Sequence, residues 1–200
     1  MAQFPSTSGA SGRWQIREQR RAVRGDNWTT LNSFESIAGT VIVGAGGQPT
    51  VVFSNIPQNY KHLQIRIMSK SISTNDALDM QFNSDTGNNY SYHDLFGDGS
   101  STGASASAPR TTMPIAGLGA PSTNTNMFGA AIVDILDYAD TNKYKTVRSL
   151  SGVDLNGSGV VVLTSNNWRS TSAVSTISLF LRTVAGFGQY SSFALYGIRG

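Results

Sequence analysis

The sequence predicts an all-β protein, an antiparallel β-sandwich of jelly-roll type that follows an extended N-terminal arm. Apolar and polar residues alternate with a period of two in many short segments, which is the pattern of a half-buried strand. Gly, Asn, Ser and Pro separate these segments at regular intervals, as in sandwiches and jelly rolls. No long segment has the 3.6-residue period of a helix. We therefore divide the chain into an arm, residues 1–35, and a sandwich domain, residues 36–200.

Eleven segments of the domain carry the strand pattern. It is clearest at 63–67, 78–82 and 177–181, where every second residue is apolar. The stretch 97–108 is rich in Gly, Ser and Ala and is predicted to be an exposed low-complexity loop. The predicted strands are 37–43, 49–55, 62–72, 77–83, 89–96, 111–117, 127–136, 145–153, 159–165, 174–183 and 191–199.

The composition narrows the function classes. Only 14% of the residues are charged, against about 25% in typical soluble domains, and Ser, Thr, Asn and Gly supply the polar surface instead. Such a surface suits a protein that packs against copies of itself. The chain has no cysteine, which excludes disulfides and thiolate chemistry. No run approaches 18 apolar residues and the start lacks the apolar core of a signal peptide, so we expect no membrane insertion.

The arm is basic and carries two tryptophans. Five of the fifteen Lys and Arg residues lie between residues 13 and 24. The sandwich domain holds ten basic and nine acidic residues, so no basic face supports the arm and we expect no nucleic-acid partner. The apolar residues of the arm form no clean helical stripe, and Arg and Trp are common anchors at protein interfaces. The predicted docking residues are Trp14, Arg17, Arg20, Arg21, Arg24 and Trp28.

Titratable side chains are too sparse to predict a catalytic centre. His62 and His93 are the only histidines; His62 is expected at the exposed edge of a strand. His93 and Asp94 are neighbours on one strand, so their side chains should point to opposite faces. Asp85, Asp94 and Asp98 could bind calcium, but their spacing matches no known loop and turns explain them better. We therefore predict a non-enzymatic protein with no catalytic residue, no metal and no cofactor.

A carbohydrate site is the alternative that the sequence leaves open. Trp168 lies among Asn residues in a segment that reads as a loop, and Tyr92 offers a second aromatic ring. Aromatic rings beside amides suit sugars, and Tyr92, Asn167 and Trp168 are the candidate glycan contacts. The competing interpretation is that these rings pack at the rim of the core.

Three segments resemble phage proteins. SGRWQIREQRRAVRGDNW at 11–28 resembles an N-terminal segment of phage structural proteins, especially those of phages that infect cyanobacteria. Thr29 follows the second Trp, where that family often has Pro. STNDALDMQFNSDTGNNYSYHDLFGDGSS at 73–101 and YSSFALYGIRG at 190–200 resemble a domain of phage tail and fibre-like proteins. The residues of the first segment that fit are Ser11, Gly12, Trp14, Arg21, Ala22, Gly25, Asn27 and Trp28.

The resemblance implies a structural component of a bacteriophage particle, located in the virion. We expect an oligomeric tail, fibre or appendage protein, as a trimer or dimer, that the arm anchors to other virion proteins. Two alternatives remain open: a capsid decoration (cement) protein, which differs in where the arm docks, and a receptor-recognition module that binds a host surface glycan.

Overall fold

The computed structural model of the protein describes residues 34–73, 76–116, 126–183 and 186–200. These residues form thirteen strands and no helix, with antiparallel pairing throughout, so the predicted β-sandwich is confirmed. The predicted arm residues Trp14 to Trp28 lie outside the described residues. The strands are β1 Phe34–Ser36, β2 Val41–Ile42, β3 Thr50–Phe53, β4 His62–Ser69, β5 Leu78–Phe82, β6 Tyr90–Gly97, β7 Thr102–Arg110, β8 Met113–Ala116, β9 Gly129–Leu136, β10 Lys145–Asp154, β11 Gly159–Trp168, β12 Ile177–Leu181 and β13 Ser192–Ile198.

The two sheets are unequal in width. The larger sheet has nine strands in the order β1-β13-β4-β9-β10-β11-β6-β7, with β2 also paired to β13. The smaller sheet has four strands in the order β3-β12-β5-β8, and β8 packs across β10 and β11 of the larger sheet. The smaller sheet covers one face of the larger sheet, which we call the inner face; the opposite side is the outer face.

Strand alternation builds the core between the sheets. Leu63, Ile65 and Ile67 of β4 point inward and are almost fully buried. Ile177 and Leu179 of β12 point toward them from the smaller sheet and are completely buried. Each such side chain contributes about 1.5–3 kcal/mol when it leaves water, so the period-two pattern supplies most of the stabilisation of the fold.

The stretch predicted to be a loop at 97–108 is largely a strand, which corrects the sequence interpretation. β6 ends at Gly97, and β7 begins at Thr102 after a turn in which the Asp98 carboxylate accepts backbone hydrogen bonds from Ser100 and Ser101. β7 lies at the edge of the sheet and, among the described strands, pairs with β6 alone. An edge strand needs no large side chains on both faces, so small residues suffice once tertiary pairing outweighs their low β propensity.

Two further sequence predictions are corrected at the end of the larger sheet that contains β1, β13 and β4. The predicted boundary between arm and domain falls inside β1, because Phe34 and Glu35 pair with β13. The expectation that His62 is an edge residue is wrong. It begins β4, which has β13 and β9 on its two sides, and its Nδ1 accepts the Asp137 backbone N–H at 3.0 Å.

Asp137 fixes the turn that follows β9. Its backbone has a positive φ of 48°, and its carboxylate is paired with Lys143 and, at 2.9 Å, with Lys61 Nζ. The hydrogen bond from Lys143, followed by that from Lys61, lowers the pKa of Asp137 from 3.8 to about 2. Because the folded-state pKa lies below the unfolded value, this carboxylate stabilises the fold above pH 3.8, and the contribution is lost as the pH falls toward 2.

We expect Asp137→Asn to lower the free energy of unfolding at neutral pH and to flatten its decline between pH 4 and pH 2. Urea unfolding at a series of pH values measures both effects. Asp154→Asn is the control, because that exposed carboxylate forms no ion pair with any described residue. The account fails if Asp137→Asn and the parent lose stability equally over this pH interval.

Candidate interaction surface

The outer face of the larger sheet is unusually apolar for a surface open to solvent. The described residues include twelve exposed large hydrophobic side chains, and seven of them lie on this face. Scattered exposed hydrophobics are ordinary on a protein surface, whereas a contiguous group marks an interaction site. The seven are Ile42, Met68, Leu95, Ile132, Leu150, Val161 and Leu163.

Strand register places four of these side chains in one continuous line. Ile132 of β9 lies opposite Leu150 of β10, which lies opposite Leu163 of β11. Leu163 in turn lies opposite Leu95 of β6, and Leu95 opposite Ala104 of β7. Directly opposed side chains have Cβ atoms about 4.5–5.5 Å apart, so the residues form an unbroken apolar row across five strands.

A second line of small and apolar residues runs beside the apolar row. Met68 of β4 lies opposite Ala130, Ala130 opposite Gly152, and Gly152 opposite Val161. The two small residues stand at the middle of this line and the larger ones at its ends. The outer face is therefore apolar over two adjacent rows.

A polar row borders the other side of the apolar row. Asp134 of β9 lies opposite Arg148 of β10, and Gln64 Nε2 donates a hydrogen bond of 2.8 Å to Asp134 Oδ1. Ser165 and His93 continue the row across β11 and β6. Arg148 is exposed and forms no ion pair with any described residue, so its charge is available to a partner.

Aromatic side chains close one end of the outer face. Phe34 of β1 stacks on Tyr196 of β13 with ring centroids 4.6 Å apart. The Arg66 guanidinium lies over both rings, 5.1 Å from Phe34 and 5.4 Å from Tyr196. These contacts satisfy Arg66 locally, so the open apolar surface extends from β4 toward β7.

Two open depressions follow the twist of the outer face. One, of about 650 Å³, lies over β10, β11, β6 and β7, and the other, of about 660 Å³, lies over β4, β9, β10 and β11. The first is lined by Leu95 and Leu163 together with His93, Arg148 and Ser165 of the polar row, and the second mainly by the two apolar rows. This arrangement fits the side chains of another protein better than a small polar ligand.

The predicted sugar-contact residue Trp168 belongs to the core. It is the last residue of β11, not part of a loop, and it is 2% exposed. Its ring packs edge-on against Phe82 and stacks with Tyr90, and its Nε1–H donates to Asp85 Oδ2 at 2.7 Å. With both ring faces covered, Trp168 offers no platform to a sugar, and the core-packing interpretation holds for this residue.

The structure also separates the other two candidate glycan contacts. Tyr92 lies opposite Asn166, whose side chain is buried under the smaller sheet, so Tyr92 points toward the inner side. Asn167 is the next residue along β11 and points to the outer face. The Arg110 guanidinium lies 5.3 Å from the centre of the Tyr92 ring. Tyr92, Asn167 and Trp168 therefore form no common site.

The acidic side chains that the sequence offered as calcium ligands form local hydrogen bonds. Asp94 turns to the face opposite His93 and accepts hydrogen bonds from the N–H and Oγ of Ser105. Asp85 accepts from Gly87 N and Trp168 Nε1, which lowers its pKa although its burial opposes the shift. Within the described ranges, no three or more His, Asp or Glu side chains are grouped so as to hold a metal ion. The same residues contain no helix long and apolar enough to cross a membrane.

Sequence reasoning missed the outer face, although a signal for it was present. Residues 160–163 read Val-Val-Val-Leu and residues 130–133 read Ala-Ala-Ile-Val, so both faces of these strands are apolar. A continuous apolar run is typical of a strand that is covered on both sides. The sequence interpretation used only the alternate residues that point to the core.

Comparisons with known proteins give no family for the chain. No protein-family model matches it, and no curated protein matches it. A crystal structure of a protein of unknown function from Shewanella oneidensis MR-1 is 10% identical, covers 95% of this chain and 97% of its own, and has a TM-score of 0.20. At that TM-score the comparison establishes neither a shared fold nor a shared function.

We expect Trp168→Ala to lower the free energy of unfolding by about 3–5 kcal/mol, as other deletions of large core aromatics do. It removes a buried ring and leaves Asp85 without one hydrogen-bond donor. Tyr144→Ala, which removes an exposed aromatic ring outside the strands and away from the outer face, is the control and should stay within about 0.5 kcal/mol of the parent. Urea unfolding measures both. A Trp168→Ala variant with parental stability that has lost glycan binding would instead make Trp168 a sugar contact.

Proposed function

We propose that this chain is a non-enzymatic structural component of a bacteriophage particle, an oligomeric tail, fibre or appendage protein held by other virion proteins through its N-terminal arm. The observation that carries the assembly role is the open apolar outer face of the larger sheet. Contiguous apolar patches of this kind are uncommon on monomeric soluble proteins and mark sites of protein association.

The charge distribution supports a role in packing. The open part of the outer face has three charged side chains near its middle: Asp134 and Arg148 in the polar row, and Arg66 of β4, which lies opposite Ile132. Lys and Glu are depleted at the centres of protein interfaces, because a charged group is costly to remove from water. A face with so few charges can approach another surface closely at little desolvation cost.

The phage assignment rests on the sequence. The segment 11–28 resembles the N-terminal segment of phage structural proteins, and its Trp and Arg residues are the types that anchor protein interfaces. In the proposed arrangement the arm attaches the chain to the particle, while the sandwich supplies a rigid body with an associating face.

We expect removal of residues 1–32 to leave a folded sandwich that no longer enters particles. Tagged chain supplied during infection by the phage that encodes it, followed by particle purification, immunoblotting and immunogold microscopy, measures incorporation and location. Arg17→Ala/Arg20→Ala should also reduce incorporation, whereas the matched pair Arg169→Ala/Arg199→Ala in the sandwich should not.

Each result bears on a different part of the proposal. Parental incorporation of the truncated chain would contradict the docking role of the arm. Absence of the full-length chain from purified particles would contradict the virion assignment itself. Gold label on the capsid instead of the tail would favour the decoration-protein alternative.

A further inference from the structure

We propose that the outer face binds the outer face of a second copy of this chain, in a two-fold dimer whose axis runs parallel to the strands between β9 and β10. This inference rests on the proposed function for its biological role, since it names the partner of the associating face. The dimer itself can be tested with the purified chain, without a phage particle.

The outer face is large enough to hold two copies together. The six strands from β13 to β6, which face one another across this axis, are seven to ten residues long. With strands about 4.8 Å apart and about 3.4 Å per residue, they present a face of roughly 800 Å². A stable interface of standard size buries about 800 Å² on each partner. Face-to-face packing of two copies would therefore reach that size without help from other elements.

The sheet order fixes where such an axis gives most overlap. Eight strands lie on the path from β1 to β7, and the middle of that path falls between β9 and β10. A two-fold axis there places β9 on β10 of the partner, β4 on β11, and β13 on β6. Sheets that pack face to face at about 10 Å keep their strands nearly aligned, which an axis parallel to the strands preserves.

The polar row becomes charge-complementary about this axis. Asp134 and Arg148 lie opposite each other across β9 and β10, at the same height along the strands. The two-fold operation therefore brings Asp134 against Arg148 of the partner subunit, and it does so twice. Arg148 forms no ion pair within the described residues of its own chain, so it is available for this contact.

The apolar rows are complementary in size about the same axis. Near the centre, the large side chain of Ile132 faces Leu150 of the partner subunit. In the second row, the small residue Ala130 faces Gly152 of the partner subunit. Leu95, 60% exposed, faces Ala194 of the partner subunit, but Ala194 is only 7% exposed in its own chain, so this pair adds little contact. One pair is less well matched, since Leu163 faces Arg66, whose guanidinium is held by two aromatic rings. The favourable pairs are Ile132 with Leu150, Met68 with Val161, and Ala130 with Gly152.

Other occupants fit the face less well. Surfaces that bind membranes combine apolar side chains with several Lys and Arg residues, but the central rows carry two arginines, Arg148 and the ring-packed Arg66, beside one aspartate. Binding of an unrelated protein would not require Asp134 and Arg148 to lie symmetrically about the middle of the sheet. A second copy accounts for both features.

The first test compares two substitutions of matched exposure on the full-length chain. Leu150 is 55% exposed on the outer face, and Val52 is 51% exposed on the opposite side of the molecule, in β3 of the smaller sheet. Sedimentation equilibrium over a concentration series should show a dimer for the parent and for Val52→Glu. Leu150→Glu should raise the dimer dissociation constant at least about 30-fold, the size of a hot-spot effect. Circular dichroism and urea unfolding confirm that both variants fold.

The second test examines the register. Asp134→Arg places Arg against Arg148 of the partner subunit, and Arg148→Asp places Asp against Asp134 of the partner subunit, so each should weaken the dimer about 10-fold or more. The double variant Asp134→Arg/Arg148→Asp restores opposite charges at both contacts and should recover most of the parental affinity. Failure of the double variant to recover would overturn the proposed two-fold axis.

The remaining outcomes separate this inference from the proposed function. A parent chain that is monomeric at every concentration, or a Leu150→Glu variant that dimerises as the parent does, would overturn the dimer. Monomeric parent that binds lipid vesicles through Leu150 would assign the face to a membrane and also overturn it. A chain that fails to dimerise but is found in purified particles leaves the proposed function standing. A dimer that is absent from particles contradicts the proposed function alone.

Discussion

The organisation of this protein depends on one constraint: among the described residues, a nine-stranded sheet has a single four-stranded sheet to cover it. Each strand has two faces, and burial of the inner face supplies the core. An antiparallel sheet with one covered face ordinarily presents polar side chains on the other. Here Ile132, Leu150 and Leu163 occupy outward positions in the middle of the sheet. The described part of the fold thus carries more hydrophobic surface than it buries, and this excess is the basis of the proposed assembly role.

Buried polar contacts hold the connection between β9 and β10 in the larger sheet. Lys145 begins β10 and is fully buried, and its Nζ donates to the backbone carbonyls of Asp140, Lys143 and Thr171. Burial lowers the pKa of Lys145, while the three carbonyls stabilise its ammonium group in place of water. Together with the ion pairs of Asp137, these contacts fix the β9–β10 connection. The two strands that flank the proposed axis are therefore held by more than their own ladder.

How far the sequence predicts the fold and the outer face depends on whether each feature rests on local residues or on residues distant in sequence. Inward residues such as Leu63 and Ile65 are set by a local alternation, so most strands were predicted to within a few residues. β7 was missed because its Gly, Ala and Ser residues carry no alternation, and only pairing with β6 makes them a strand. The environment of Trp168 was ambiguous, because a tryptophan flanked by asparagines is equally compatible with an exposed loop and with the buried end of a strand. The apolar row was only partly accessible: the apolar runs at 130–133 and 160–163 indicate strands that are apolar on both faces, but local patterns do not encode the pairing of β11 with the distant strand β6.

The two kinds of residue on the outer face do different physical work in the proposed dimer. Apolar burial is non-directional and supplies affinity in proportion to area, so the apolar rows alone would tolerate many rotations of one copy on the other. A charge pair at an interface adds little net affinity after desolvation, but it penalises arrangements that leave a charge unpaired. Asp134 and Arg148 lie one strand apart at the middle of the sheet, where a small rotation or translation separates them from their partners. The apolar rows would therefore supply the affinity of the dimer. The Asp134–Arg148 contact, which occurs twice about the two-fold axis, would select its orientation.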